Sequence, residues 1–129
     1  MKTILVDTNI ILRFLLRDEE KLFSIANKIF LDAETGRTKI YIDEIAVAET
    51  LWTLSSFYRQ SKKEVIDLLL KLVIRDWVIN PRKKIILNAL KISASSSLSY
   101  IDCWLAEVAN ANKYKLESFD KKLKKIYVQ

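Results

Sequence analysis

The sequence predicts an α/β fold with a mostly parallel sheet covered by helices on both faces. Short apolar runs of strand length alternate with longer segments of helical period, which is the pattern a covered parallel sheet imposes. The 129 residues suit a single domain spanning 1–129 and leave no room for a second full core. Half of the residues are hydrophobic and 29% are charged, the balance of a soluble globular chain.

Thr3–Val6 is the first apolar run and reads as a strand. Asp7 or Thr8 then caps a helix that runs to about Leu16. Asp18 is expected to open the next helix, with Glu19 and Glu20 in the first turn, where the helix dipole favours acids. Leu22, Ile25, Ala26, Ile29 and Phe30 keep its helical spacing, and Gly36 fits the residue just past its end. Lys39–Ile42 reads as a second strand. Asp43 caps a helix over Glu44–Tyr58, and Ser61 with Glu64 makes a capping box for Lys62–Ile74. Trp77–Ile79 is a short strand. Asn80 and Pro81 read as the N-cap and first residue of a helix to about Ser93. Ser99 caps Tyr100–Asn112. Lys115–Ser118 is expected as a strand that ends at Phe119-Asp120, and Ile126–Val128 as a last one. Ligand groups in such sheets gather beyond the carboxyl ends of the strands, where Asp7 and Asp120 stand.

Composition removes several chemistries. There is no histidine, which excludes a Ser-His-Asp triad, a Cys-His pair and a histidine-based ribonuclease. Zinc is disfavoured too, because nitrogen ligands are missing and Cys103 is the only thiol. A lone cysteine makes no internal disulfide and reads first as a small packed residue, in keeping with a reducing compartment. No apolar run is long enough to span a bilayer, and the apolar stretch in MKTILVDTN is too short for a secretory signal. The expected location is therefore the cytoplasm. The formal charge of +6 favours polyanionic partners.

What remains for an enzyme near neutral pH is carboxylates and a bound cation. Asp7 directly follows an apolar strand, with helix capping as its ordinary alternative role. Glu49 lies four residues after Ile45 and three before Trp52, on an apolar stripe with Ala48, so it needs a partner or a ligand. Asp102 sits in a first helical turn, where it could complete a capping box, on a face shared with Leu105, Ala106 and Ala109. Asp120 precedes KKLKK, where it could equally cap a short helix. Two carboxylates about 4 Å apart repel by roughly 4 kcal/mol at an effective dielectric near 20. Three or four in one cleft call for a cation, and Mg²⁺ or Mn²⁺ prefers such oxygen ligands.

These residues stand in blocks that resemble the PIN-domain family. VDTNIILRFLLRD is similar to its opening, with Asp7 as a metal ligand and Thr8 and Asn9 in support. AVAETLWTL resembles the second block and carries Glu49. YIDCWLAEVA resembles the third and carries Asp102. LESFDKKL resembles the closing block, with Asp120 as the fourth acid and Ser118 in a position usually held by threonine. The four blocks occur in the family's order over nearly the whole chain. Cys103 replaces a frequent alanine. Asn112-Lys113 replaces a frequent glycine before the last strand, where asparagine tolerates a left-handed turn.

The resemblance implies a five-stranded parallel sheet in a three-layer α/β/α sandwich. It also implies Mg²⁺- or Mn²⁺-dependent RNA cleavage, with Asp7, Glu49, Asp102 and Asp120 as metal ligands and catalytic acids. Within the family the chain looks most like the VapC-type toxins of toxin–antitoxin pairs, which implies a homodimer and a small antitoxin partner. The apolar surface expected on Leu51–Tyr58 and Val65–Ile74 fits such a dimer. Arg13, Arg17, Arg59, Lys62, Lys63, Arg82, Lys83 and Lys84 are candidate phosphate contacts, although most would serve equally as solvated surface. Two alternatives stand beside this reading. One is a Mg²⁺-dependent phosphatase or phosphotransfer domain, against which Asn9 counts, since a dehalogenase-like phosphatase wants aspartate there. The other is a non-catalytic RNA-binding module.

Overall fold

A computed structural model describes residues 1–126. It divides into two compact units, Met1–Pro81 and Arg82–Gln129. The first unit holds a three-stranded parallel sheet, and seven α-helices lie among the described residues.

The first unit begins with β1 (Lys2–Val6), followed by α1 (Thr8–Leu16) and α2 (Glu20–Glu34). The next strand is β2 (Thr38–Ile42), in register with β1 from Lys2 opposite Thr38 to Val6 opposite Ile42. Next come α3 (Glu44–Trp52), a π-helical turn (Thr53–Phe57), α4 (Lys62–Val73) and β3 (Val78–Ile79). β3 pairs with β2 at Ile40–Val78 and Tyr41–Ile79. Both connections between parallel strands are helical, as parallel pairing requires. α1 packs on α2 and α3, α2 on β2, and α4 on α3 and β3. Buried side chains of these elements include Ile11, Ile40, Val47, Leu54, Ile66 and Val73.

Local signals set most boundaries. The Asp7 side chain caps α1, and Arg17 ends it in the left-handed region at φ 55°. The helix expected to open at Asp18 opens later: Glu19 is the cap, its carboxylate accepting from the Leu22 N–H at 2.9 Å. Asp18 is engaged by Arg13 at 3.3 Å. Gly36 follows α2 at φ 87°, where a side chain would be strained. Asp43 caps α3 through the Ile45 N–H at 2.8 Å, and Ser61 caps α4 through the Glu64 N–H at 3.1 Å. The single helix expected over Glu44–Tyr58 is split, and its second half widens into the π turn, in which Tyr58 N–H donates to the Thr53 carbonyl.

Asn80 corrects the reading of the next helix. Its side-chain Nδ2 donates to the Ile42 carbonyl and to Glu44 Oε1, each at 2.9 Å. The following helix, α5 (Lys83–Ala94), starts two residues after the expected Pro81 and has Arg82 at its cap position with no side-chain cap bond.

In the second unit α5 packs on α6 (Tyr100–Asn112), and α6 on α7 (Lys121–Ile126). Ser99 caps α6 as expected, accepting from the Asp102 N–H at 3.2 Å. It is Lys113, rather than Asn112, that takes the left-handed conformation at φ 57°, while the Asn112 amide donates back to the Val108 carbonyl at 2.8 Å. Lys115–Ser118 is not a strand. Leu116 is its only apolar side chain, too little burial to fix an extended segment in a ladder. Of the strand expected at Ile126–Val128, Ile126 closes α7 and the rest lies outside the described residues. The described sheet thus has three strands where the resemblance implied five. No helix among the described residues is long and apolar enough to cross a membrane.

Candidate active site

The first unit brings two of the expected blocks together at the carboxyl end of its strands. β1 ends at Val6, and the next residue, Asp7, turns the chain into α1. Its Oδ1 accepts from the Ile10 N–H at 3.0 Å, so Asp7 does perform the capping role. One oxygen of a carboxylate suffices for that, and Asp7 is exposed. The neighbouring hydroxyl, Thr8 Oγ1, donates to Glu49 Oε1 at 3.2 Å. Glu49 reaches that position because β2, paired in parallel beside β1, ends at Ile42 and leads directly into α3. Asn9 stands exposed on α1.

Glu49 is not buried, contrary to the stripe read from sequence. The packed face of α3 is Ala46, Val47, Thr50 and Leu51. Ile45, 67% exposed, and Trp52, 66% exposed, flank Glu49 on the outer face. An apolar stripe was present at the right spacing, but a second one on the same helix took the core. Its carboxylate is therefore hydrated as well as hydrogen-bonded, and no burial cost needs offsetting.

Asn80 was missed as a contributor. Buried at the end of β3, it ties the last carbonyl of β2 to the first residue of α3, the helix that carries Glu49. An Asn-Pro pair resembles a helix start, and no local signal announces a bond to residues 36 and 38 positions away.

The second unit holds the other two acids. Asp102 lies half-buried in the first turn of α6, one residue before the fully buried Cys103. Ala106 and Ala109 of its expected face are buried, whereas Leu105 is 47% exposed. Asp120 caps α7, with Oδ1 accepting from the N–H groups of Lys122 at 2.9 Å and Leu123 at 3.2 Å. Ser118 Oγ accepts from the Asp120 N–H at 3.0 Å, so the Ser-Phe-Asp run is one hydrogen-bonded turn.

The donor chemistry fits a hard divalent cation: Asp7, Glu49, Asp102 and Asp120 offer carboxylate oxygens, Thr8 a hydroxyl, and histidine is absent. Among the described residues no group of three or more Asp, Glu or Cys side chains is gathered closely enough to hold a metal ion. A separate cavity of about 400 Å³ in the first unit is lined by Phe14, Arg17, Phe30, Lys71, Arg75 and Trp77 among others, and by none of the four acids.

Of the basic residues considered for phosphate, Arg13 is paired with Asp18, and Arg17 lies over the Phe23 ring at 5.0 Å.

Compared with known families, the chain is matched over residues 4–129 by the model described as PIN domain, a span that takes in all four acids. The chain belongs to the PIN domain family. Its members are generally nucleases, hydrolases that typically use divalent metal ions. No curated protein sequence and no solved structure matches it.

Proposed function

We propose that this PIN-domain chain is a Mg²⁺- or Mn²⁺-dependent endoribonuclease and the toxin of a toxin–antitoxin pair. The observation that carries the catalytic part is the Thr8–Glu49 hydrogen bond. It joins the first and second acidic blocks, 41 residues apart, at the carboxyl end of the sheet. On this reading Asp7, Glu49, Asp102 and Asp120 hold the cation, and the donor set is one that a hard ion prefers.

Each residue then has a task set by its chemistry. Asp7 keeps one carboxylate oxygen on the α1 backbone, which fixes its orientation and leaves the second to a ligand. Thr8 holds one oxygen of Glu49 and limits the rotamers of a long, exposed side chain. Ser118 holds the turn that presents Asp120. A divalent ion bound by such acids supplies charge stabilisation at the phosphate and an acidified water. Phosphate recognition falls to exposed cations such as Arg59, Lys63 and Lys84, with an affinity that falls as salt rises.

The toxin assignment rests on the DTN-to-LLRD opening and the four ordered blocks; a small antitoxin and a homodimer belong to it. The decisive assay incubates RNA with the purified chain in Mg²⁺, in Mn²⁺ and in EDTA. Internal cleavage confined to the metal-containing reactions is the expected result, and uncut RNA in all three ends the proposal. For the subtype, growth arrest on expression, relieved by the product of a small adjacent reading frame, is expected.

A further inference from the structure

We propose that Trp52 is a base-stacking residue that seats an unpaired RNA base beside Glu49, an inference that rests on the nuclease reading above. Ile45, Glu49 and Trp52 stand at i, i+4 and i+7 on α3, and side chains at such spacing are neighbours on a helix surface. Both apolar members are about two-thirds exposed, at 67% and 66%. The opposite face is packed, with Val47 at 0% and Leu51 at 6% exposure, so the outer face is held on a fixed backbone. Trp52 is the last residue of α3, and the chain passes directly into the π turn, whose Leu54 is fully buried. The backbone that carries Trp52 is thus anchored from both sides while the residue itself is left largely to solvent.

Charge decides what kind of surface covers it. From Thr50 to Lys63 the chain carries Arg59, Lys62 and Lys63 and no acid. Phe57, 74% exposed, and Tyr58, 37% exposed, stand edge to face at 5.1 Å just before these cations. Exposed aromatic rings followed by cations are the components that hold single-stranded nucleic acid, rings for bases and cations for phosphates. A duplex already stacks its base faces internally, so this surface selects unpaired RNA. Because Trp52 lies one turn from Glu49, a base on its ring places the adjoining phosphodiester next to that carboxylate.

The test is a cycle between protein and RNA. Wild type, Trp52→Ala and Trp52→Phe are compared on a labelled single-stranded oligoribonucleotide and on the same strand with an abasic residue beside the cleaved bond. Cleavage is read as kcat/KM in Mg²⁺, and binding by anisotropy in EDTA. For Trp52→Ala, binding and kcat/KM on the intact strand fall roughly tenfold, the scale of one stacked base. On the abasic strand Trp52→Ala matches wild type, and Trp52→Phe keeps most of the intact-strand advantage. Equal losses on both strands, or none on either, overturn the proposal. So does a Trp52→Ala variant that becomes monomeric by light scattering yet keeps the wild-type abasic penalty, which would give the face to a second copy of the chain. If wild type cuts no RNA but binding in EDTA still shows the abasic penalty and its loss in Trp52→Ala, the nuclease reading fails and the stacking face stands.

Discussion

The Thr8 hydroxyl donates to Glu49 Oε1 at 3.2 Å, linking the residue after the β1-terminal Asp7 to the middle of α3. Removing this bond isolates orientation from charge. Thr8→Val keeps the shape and leaves Glu49 free to rotate; Thr8→Ser keeps the hydroxyl. Because Glu49 is exposed, stability should change little. Activity of Thr8→Val should fall by up to about 100-fold, the scale on which small misplacements act, while Thr8→Ser stays near wild type. Steady-state cleavage with a urea melt of each variant checks this, and equal activity in all three proteins would remove Thr8 from the site.

Asp7→Asn separates capping from catalysis. Asparagine caps helices about as well as aspartate, so the loss of stability should stay within about 1 kcal/mol. Cleavage should drop by orders of magnitude, with RNA binding retained or tightened because a charge that repels phosphate has gone. Glu49→Gln and Asp102→Asn should behave alike, and Asp120→Asn should lose less. A folded Asp7→Asn protein that cuts RNA at the wild-type rate would refute the assignment of Asp7.

Divalent ions should stabilise the fold. An ion that binds the native state and not the unfolded one raises the melting temperature by mass action, by about 2.7 kcal/mol of stability at a concentration 100 times Kd. Scanning calorimetry with Mg²⁺, Mn²⁺ and EDTA measures it. The shift should shrink in Glu49→Gln; an unchanged melt in every condition would count against a native metal site.

Asn80→Ala should be costly for a surface-sized change. It leaves the Ile42 carbonyl and Glu44 short of a donor at a buried position, a loss of about 1–3 kcal/mol. Because α3 starts at that junction, kcat should fall as well. Chemical denaturation gives the first number and single-turnover cleavage the second; a variant as stable as wild type would show that the two hydrogen bonds do not brace the junction.

Self-association is expected through what the core leaves over. Val65, Ile66, Leu69 and Val73 of α4 are buried within the chain, whereas Leu68 and, just past the end of the helix, Ile74 remain exposed. A homodimer should appear by light scattering at micromolar concentration. Leu68→Glu with Ile74→Glu should shift it toward monomer, and a monomeric wild type would reject the expectation.

Much of this protein was legible from sequence because the responsible interactions are local. The caps at Asp7, Asp43, Ser61 and Ser99 each join residues two or three apart, and the alternation of strand and helix follows from hydrophobic period alone. The first three acidic blocks stand on the element each was expected to occupy or at its end, whereas the fourth, expected at the end of a strand, stands at the start of α7.

Tertiary structure decided which of several locally permitted arrangements was used. α3 carries two apolar stripes, and only packing against α1 and α4 selected Val47 and Leu51 for the core, turning Ile45, Glu49 and Trp52 outward. Asn80 read locally as a helix start, and only the folded chain brought its Nδ2 to partners in β2 and α3. Lys115–Ser118, expected as a strand, has too little apolar surface to hold one. Local hydrogen bonds and periodicity reach only a few residues, so sequence determined the elements and their caps. Burial is settled by competition among distant segments for the same apolar surface, so the facing of Glu49 and the bond that orients it were fixed only when β1 and β2 came together.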